Sequence, residues 1–195
     1  YIKLYIKLYI KLYIKLYIMV ESILDNCHKL LNKYTLWFHN PNDTNWQIDS
    51  YHKIITFTTI EEFWTITNYL KSDLIEKGMF FLMKEDIEPI WEDLNNITGG
   101  CISFKIDNMD SQNVWIDLMV HLISNNLDIG INGISISPKK KFNIVKIWTN
   151  SIVDIDNYTF PDSLSICKSP ALFNANEDNV QKDKGKINYY KQRET

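Results

Sequence analysis

Two tryptophans in turn-rich stretches, a carboxylate beside one of them, and a lysine cluster further on are the residues of this chain whose types and spacing could do chemistry. Trp91 and Glu92 stand in the segment EPIWED (88–93), just after Pro89-Ile90, and Trp46 closes the turn-forming run NPNDTN (40–45). Large aromatics normally go inside and carboxylates outside, so a tryptophan–glutamate pair in a loop suits a ligand that uses both. A planar heterocycle needs faces to stack on and an edge to hydrogen-bond. Two indoles supply faces, and Glu92 supplies two acceptor oxygens. Guanine is the base whose edge carries two adjacent donors, N1–H and the exocyclic NH2, which a carboxylate meets in bidentate fashion. Methylation at N7 makes the base cationic and adds a cation–π attraction to each indole. Stacking is worth roughly 1–3 kcal/mol per base, and a desolvated cation–π contact about 2 kcal/mol. With a charge-assisted pair these can reach the roughly 8 kcal/mol of micromolar binding, although they do not simply add.

Phosphates attached to such a base need cations. The run SPKKK offers Lys139, Lys140 and Lys141 at a hairpin turn, with Lys146 and Trp148 on the strand that follows. Read alone, that run is a solvated turn. Trp37, in an alternating apolar strand, and Trp115, on the apolar face of a helix, read as core.

The elements that must position these residues follow from periodicity. Strands are expected at 34–39, 52–58, 78–84, 101–106, 132–137 and 143–149, the last two as a hairpin. Thr59 and Glu62 stand at capping-box spacing ahead of a helix over about 60–71. Its core stripe is built from Phe63, Ile66 and Leu70, leaving Ile60 and Trp64 on another side. A second helix runs from Asp110 to about Asn125, with Val114, Trp115, Leu118, Met119 and Leu122 at helical spacing. LSICK (164–168) reads as one more strand, and 174–195 as a polar, flexible tail. The fold class is α+β, a curved antiparallel sheet backed by helices.

Composition narrows the function. The chain has 195 residues, 45% apolar and 23% charged, with 13% aromatics. Residues 1–18 repeat YIKL and carry four lysines and no acid, so the remainder holds 17 basic against 24 acidic groups, a net −7. Contact with nucleic acid must therefore be local, because the global field repels phosphate. The repeat is neither a signal peptide nor a membrane span, since lysine recurs every fourth residue. It reads as a low-complexity extension ahead of Met19, dispensable to a domain over 19–173. Cys27, Cys101 and Cys167 are scattered, and no Cys/His cluster indicates zinc or a disulfide framework. A reduced, cytoplasmic setting is expected, with no cofactor and no metal.

Taken in order, YTLWFHN, Trp46-Gln47, TIEEFW, IEPIWED, the glycine pair 99–100, VWIDLMVHLI and the lysine turn ending in IWT resemble the cap-binding translation initiation factor 4E family over roughly 28–149. The resemblance implies helices on the convex face of the sheet and the 7-methylguanosine cap of mRNA on the concave one. Trp46 and Trp91 match the tryptophans that sandwich the base, Glu92 the carboxylate that reads its edge, and Trp148 the tryptophan at the N7-methyl group. Lys139 and Lys141 match basic positions that hold the cap phosphates. His28, Leu30, Ile60, Trp64, Ile116 and Val120 match the convex surface that receives a helical Tyr-x4-Leu-type motif of the scaffold factor 4G or of repressors. The implied protein is a monomeric, non-enzymatic initiation factor. Departures from the family pattern are Tyr34 and Ile102 in place of tryptophans, His28-Lys29 in place of His-Pro, Ile144 at the third phosphate position, and Lys139 where arginine is usual. The span between Trp148 and LSICK is short for the helix the family places there. A decoy or repressor that holds caps without engaging a scaffold is an alternative. A single-strand RNA binder indifferent to N7 methylation is another, and it would lose affinity steeply with salt. A cap-processing hydrolase is disfavoured, because the chain shows no repeated acidic motif for a metal.

Overall fold

Alternation along the strands divides the molecule into two unequal apolar layers. On β1 (Lys29–His39), Tyr34, Leu36 and Phe38 point to one side of the sheet, while Trp37 and His39 point to the other. The same division holds on β3 (Met79–Lys84), where Phe80 and Leu82 oppose Phe81 and Met83. It holds again on β6 (Phe142–Thr149), where Val145 and Ile147 oppose Trp148. Successive side chains of a strand face opposite ways, so each strand contributes to both layers. The computed structural model describes residues 27–70, 72–127, 130–168 and 170–181. The extension 1–18 and the chain beyond 181 lie outside them.

The remaining strands are β2 (His52–Thr59), β4 (Gly100–Asp107), β5 (Ile131–Pro138) and β7 (Ala171–Ala175). All seven form one antiparallel sheet in the order β2-β1-β3-β5-β6-β4-β7. Register shifts interrupt the β1–β2 and β5–β6 pairings, and bulges of this kind bend and twist a sheet. The architecture is the expected curved antiparallel sheet backed by helices.

Helix α1 (Ile60–Tyr69) starts where the spacing predicts. The Thr59 hydroxyl accepts from Glu62 N–H, and the Glu62 carboxylate accepts from Thr59 N–H at 3.0 Å, a complete capping box. Its Phe63 and Ile66, with Leu70 just past its end, are buried in the larger layer. Each buried side chain of this size contributes about 1.5–3 kcal/mol. A short α2 (Ser72–Ile75) follows. Helix α3 (Ser111–Ile123) inserts Val114, Trp115, Leu118, Met119 and Leu122 into the same layer. The Tyr34 hydroxyl donates to Leu122 O at 3.0 Å and ties the end of α3 to β1. Helices α1, α2 and α3 pack on the larger layer and leave the smaller one on the opposite face of the sheet. No helix among the described residues is long and apolar enough to cross a membrane.

Two expectations need correction. LSICK is not a strand but a 3-10 turn over Ser165–Lys168. Leu164 and Ile166 are buried, which produced the alternating pattern. The N–H and hydroxyl of Ser165, however, both donate to Asp117 of α3 at 2.7 Å, so they are unavailable to a ladder. The seventh strand is β7, paired with β4 from Ala171 to Ala175. A boundary at 173 therefore falls inside this strand, and helical turns over 176–181 continue beyond it, with Asn176 and Val180 buried. Between β6 and β7 the described chain makes turns and that one 3-10 segment, in keeping with a stretch too short for a further long helix.

Candidate nucleic-acid interface on the smaller layer

Trp46 is positioned by its loop. Residues 40–50 are a succession of side-chain turns: Asn40 Oδ1 accepts from Asn42 N–H at 3.0 Å, Asp43 Oδ1 from Asn45 N–H at 2.9 Å, and Asn45 Oδ1 from Gln47 N–H at 2.9 Å. Asparagine and aspartate are the residues that make such turns with their own backbone. The Ser50 hydroxyl then donates to Asn45 O at 2.8 Å, so the loop is knotted on itself. The indole of Trp46 lies flat on the imidazole of His39, with centroids 4.6 Å apart and planes 14° apart. His39 is fully buried, and its Nε2–H donates to Asn45 O at 2.9 Å. Burial holds its pKa below the ordinary imidazole value, against opposing pulls from the Asn45 carbonyl and Asp43. A neutral ring is thus held under one face of Trp46, while the tryptophan itself is 48% exposed.

Aromatic contacts continue from there across the sheet. His39 meets Tyr51 (4.5 Å), Tyr51 meets the edge of Phe81 (5.3 Å), and Phe81 meets the edge of Trp148 (6.2 Å). Trp148 is 3% exposed, and its Nε1–H donates to the Ser135 hydroxyl on β5 at 3.0 Å. The family resemblance pointed to Trp148, but nothing in the sequence pointed to His39 or Tyr51, which stand among ordinary strand and turn residues.

EPIWED is held in a different way. Ile87, Ile90 and Trp91 pack on the smaller layer beside Tyr51 and Trp148, while Glu92 is exposed. Glu92 is near enough to Tyr51 that its charge, after burial, raises the tyrosine pKa. Asp93 turns inward on its own loop, accepting from Glu88 N–H at 2.9 Å and Asn95 N–H at 2.8 Å. Fully buried Asn96 closes the loop. Its amide donates at 2.8 Å to both Glu88 O and Ile90 O, and its Oδ1 accepts from Asn132 of β5 at 2.8 Å. Asn132 also donates to Asn95 O at 2.6 Å, and Asn176 to Asn96 O at 2.7 Å. Asn96 within the loop, with Asn132 and Asn176 from two distant segments, thus satisfies the inward carbonyls of the loop that carries Trp91 and Glu92, as shielded polar groups require. Gly99 is needed where this loop rejoins the sheet, because a Cβ there would overlap the carbonyl of Thr149. None of the three asparagines stood out in the sequence, where this residue is common and its long-range partners are invisible.

Trp46 and Trp91 are not in ring contact. Over the ring of Trp91, 5.8 Å from its centroid, stands the ammonium of Lys146. Lys139 and Lys141 are exposed in the β5–β6 turn, where Lys139 N–H donates to Phe142 O at 2.8 Å. At about 3.3 Å per residue, Lys141, just ahead of β6, lies roughly 23 Å from Trp148, and Lys146 only about 7 Å. Cys101, opposite Trp148 in the ladder, is 1% exposed, and burial pushes its thiol up to about 12, partly offset by the charge of Lys146. Among the described residues no group of three His, Cys, Asp or Glu side chains could hold a metal.

The opposite face holds the second group of predicted residues. Ile60 and Trp64 are 40% and 47% exposed on α1, on the side away from its buried stripe. His28 O accepts from Ile60 N–H at 2.9 Å, and His28 Nδ1 lies 2.7 Å from Glu61, a hydrogen bond that lowers the Glu61 pKa. Leu30 is half-buried against the larger layer, as are Ile116 and Val120, one turn apart on α3. His28, Ile60 and Trp64 therefore share the start of α1, and Ile116 and Val120 share a stripe of α3.

Comparisons with known proteins agree with this architecture. A family model described as Eukaryotic initiation factor 4E matches residues 29–189. Eukaryotic translation initiation factor 4E1 of Drosophila melanogaster is 35% identical over 130 residues, which span 63% of this chain but 50% of the fly protein's length. Eukaryotic translation initiation factor 4E-1 of Hordeum vulgare subsp. vulgare is 31% identical over 179 residues, covering 85% of this chain and 82% of the barley protein. Among solved structures, a complex of C. elegans eIF4E-3 with the 4E-binding protein Mextli and cap analog superposes with a TM-score of 0.71. It covers 80% of this chain and 96% of that one at 24% identity, a likeness that concerns the fold. With the matched model spanning the sheet, the helices and all of both groups of residues except His28, the chain belongs to the eukaryotic initiation factor 4E family.

Proposed function

We propose that this chain is a cytoplasmic translation initiation factor that binds the 7-methylguanosine cap of mRNA on its concave face and a scaffold or regulatory protein on its convex helical face. The observation that carries the cap reading is the asparagine-tied loop presenting half-buried Trp91 beside exposed Glu92, on the aromatic layer that also holds Trp148. Trp46, backed by a neutral imidazole, offers the second stacking face. In this reading the methylated base inserts between Trp46 and Trp91, Glu92 accepts from N1–H and the exocyclic NH2, and Trp148 lies at the N7-methyl group. Lys139 and Lys141 attract the phosphates. None of these interactions moves electrons or needs a nucleophile, so the chain acts by binding alone. Support for a protein partner comes from exposed Ile60 and Trp64 beside His28, a surface suited to the apolar side of a short amphipathic helix, and from the C. elegans relative, which was solved with a 4E-binding protein.

Tryptophan-fluorescence titration with 7-methyl-GTP and with GTP tests the cap reading. The wild type is expected to prefer the methylated nucleotide, and Trp91→Ala to weaken it by roughly 10- to 100-fold, the equivalent of one lost stacking contact. Equal affinity for both nucleotides would sink cap recognition in favour of general RNA binding.

A further inference from the structure

Lys146 has no ion-pair partner among the described residues. Its neighbours across the ladders are Ser135 on β5 and Ser103 on β4, so the sheet brings no carboxylate to it. It shares the face of β6 that carries Trp148, and it is half-buried. Its ammonium stands over the ring of Trp91 at a distance where the cation is attracted to the indole quadrupole. The ring that would stack a methylated, cationic base therefore already carries a positive charge. Because two cations cannot share one face of the indole, a methylated base stacked on that same face displaces the ammonium. β6 offers it one useful direction, toward the hairpin that bears Lys139 and Lys141, along which a phosphate chain would run.

We infer that Lys146 determines ligand specificity in the cap site: it occupies the face of Trp91 in the free chain and, when a cap enters, transfers its ammonium to the phosphate next to the methylated nucleoside. This rests on the cap reading above. A ligand with phosphates compensates the displaced lysine with a charge-assisted contact, whereas a bare nucleoside displaces it and returns nothing. The chain thereby rejects free 7-methylguanosine and accepts a phosphorylated cap.

The test compares 7-methylguanosine with 7-methyl-GDP, by fluorescence titration of the full chain, for wild type, Lys146→Met and Lys146→Arg. Methionine keeps the length and packing of the side chain without its charge. Lys146→Met is expected to weaken 7-methyl-GDP roughly tenfold while leaving 7-methylguanosine unchanged or about two- to fivefold tighter. Lys146→Arg retains the preference for the nucleotide. Parallel weakening of both ligands by Lys146→Met, or no change in either, overturns the role of Lys146 and leaves the cap site standing. A wild type that binds neither ligand overturns the cap reading and this inference together.

Discussion

At the scale of single residues, the site depends on what lies behind its exposed aromatics. Trp46 alone would be a mobile surface indole; stacked on His39 it becomes a fixed plate. Burial favours the neutral form of that imidazole. The sign of the pH dependence follows from the lowered pKa. Above about pH 6.5, the ordinary imidazole value, His39 is neutral in both folded and unfolded chains and its titration costs nothing. As pH falls below that value, the unfolded chain takes up the proton first, and stability is lost down through the folded pKa. Denaturant melts of wild type and His39→Gln between roughly pH 7 and 5 should show the mutant with the shallower loss. Identical slopes would mean that His39 does not titrate differently on folding.

At the scale of elements, the contrast is between two ways of building a loop. The Trp46 loop is self-sufficient, because its turns are made by asparagines and an aspartate acting on neighbouring backbone. The Trp91 loop is fastened from outside, with Asn96 at its centre and Asn132 and Asn176 reaching in from β5 and from beyond β7. Asn96→Ala strands the buried carbonyls of Glu88 and Ile90. A lost partner for a buried polar group costs about 1–3 kcal/mol. The mutant is therefore expected to unfold earlier in urea and to bind 7-methyl-GTP more weakly than its residual folded fraction accounts for. Affinity equal to wild type at full folding would show that the loop holds its shape without the asparagine.

At the scale of the whole molecule, the sheet keeps the two proposed binding surfaces apart by giving each face its own apolar layer. Substitutions on one face should therefore leave the other intact. Trp64→Ala, on exposed α1 surface, is expected to abolish binding of a helical Tyr-x4-Leu-type peptide while 7-methyl-GTP affinity stays within about twofold, since sites this far apart behave additively. Loss of both activities together would argue against independent faces. The chain past β6 contributes as well, because Asn176 bonds Gly99 O through its backbone and Asn96 O through its side chain. Truncation after Phe173 removes both contacts and should lower the melting temperature by roughly 4–10 °C, at about 2–4 °C per kcal/mol for a domain of this size. An unchanged melting temperature would mark 174–181 as dispensable.

What the sequence determined by itself is whatever local periodicity and spacing encode. Six strands and two long helices follow from alternation and from the 3.6-residue repeat, and the start of α1 follows from Thr59 and Glu62 three residues apart. The Trp91–Glu92 pair was legible as an oddity, because an aromatic and a carboxylate side by side after a proline satisfy no local rule. Tertiary structure decided the rest. Ser165 is drawn off a strand by Asp117, 48 residues away, and Asn176 reaches Asn96 across 80 residues. Lys146 came over Trp91 only when the strands took their order in the sheet, whereas His39 meets Trp46 within its own self-tied loop. A single asparagine, serine or lysine carries no local preference strong enough to announce such a partner. Which group it satisfies is fixed by long-range packing, and burial then makes that choice costly to undo.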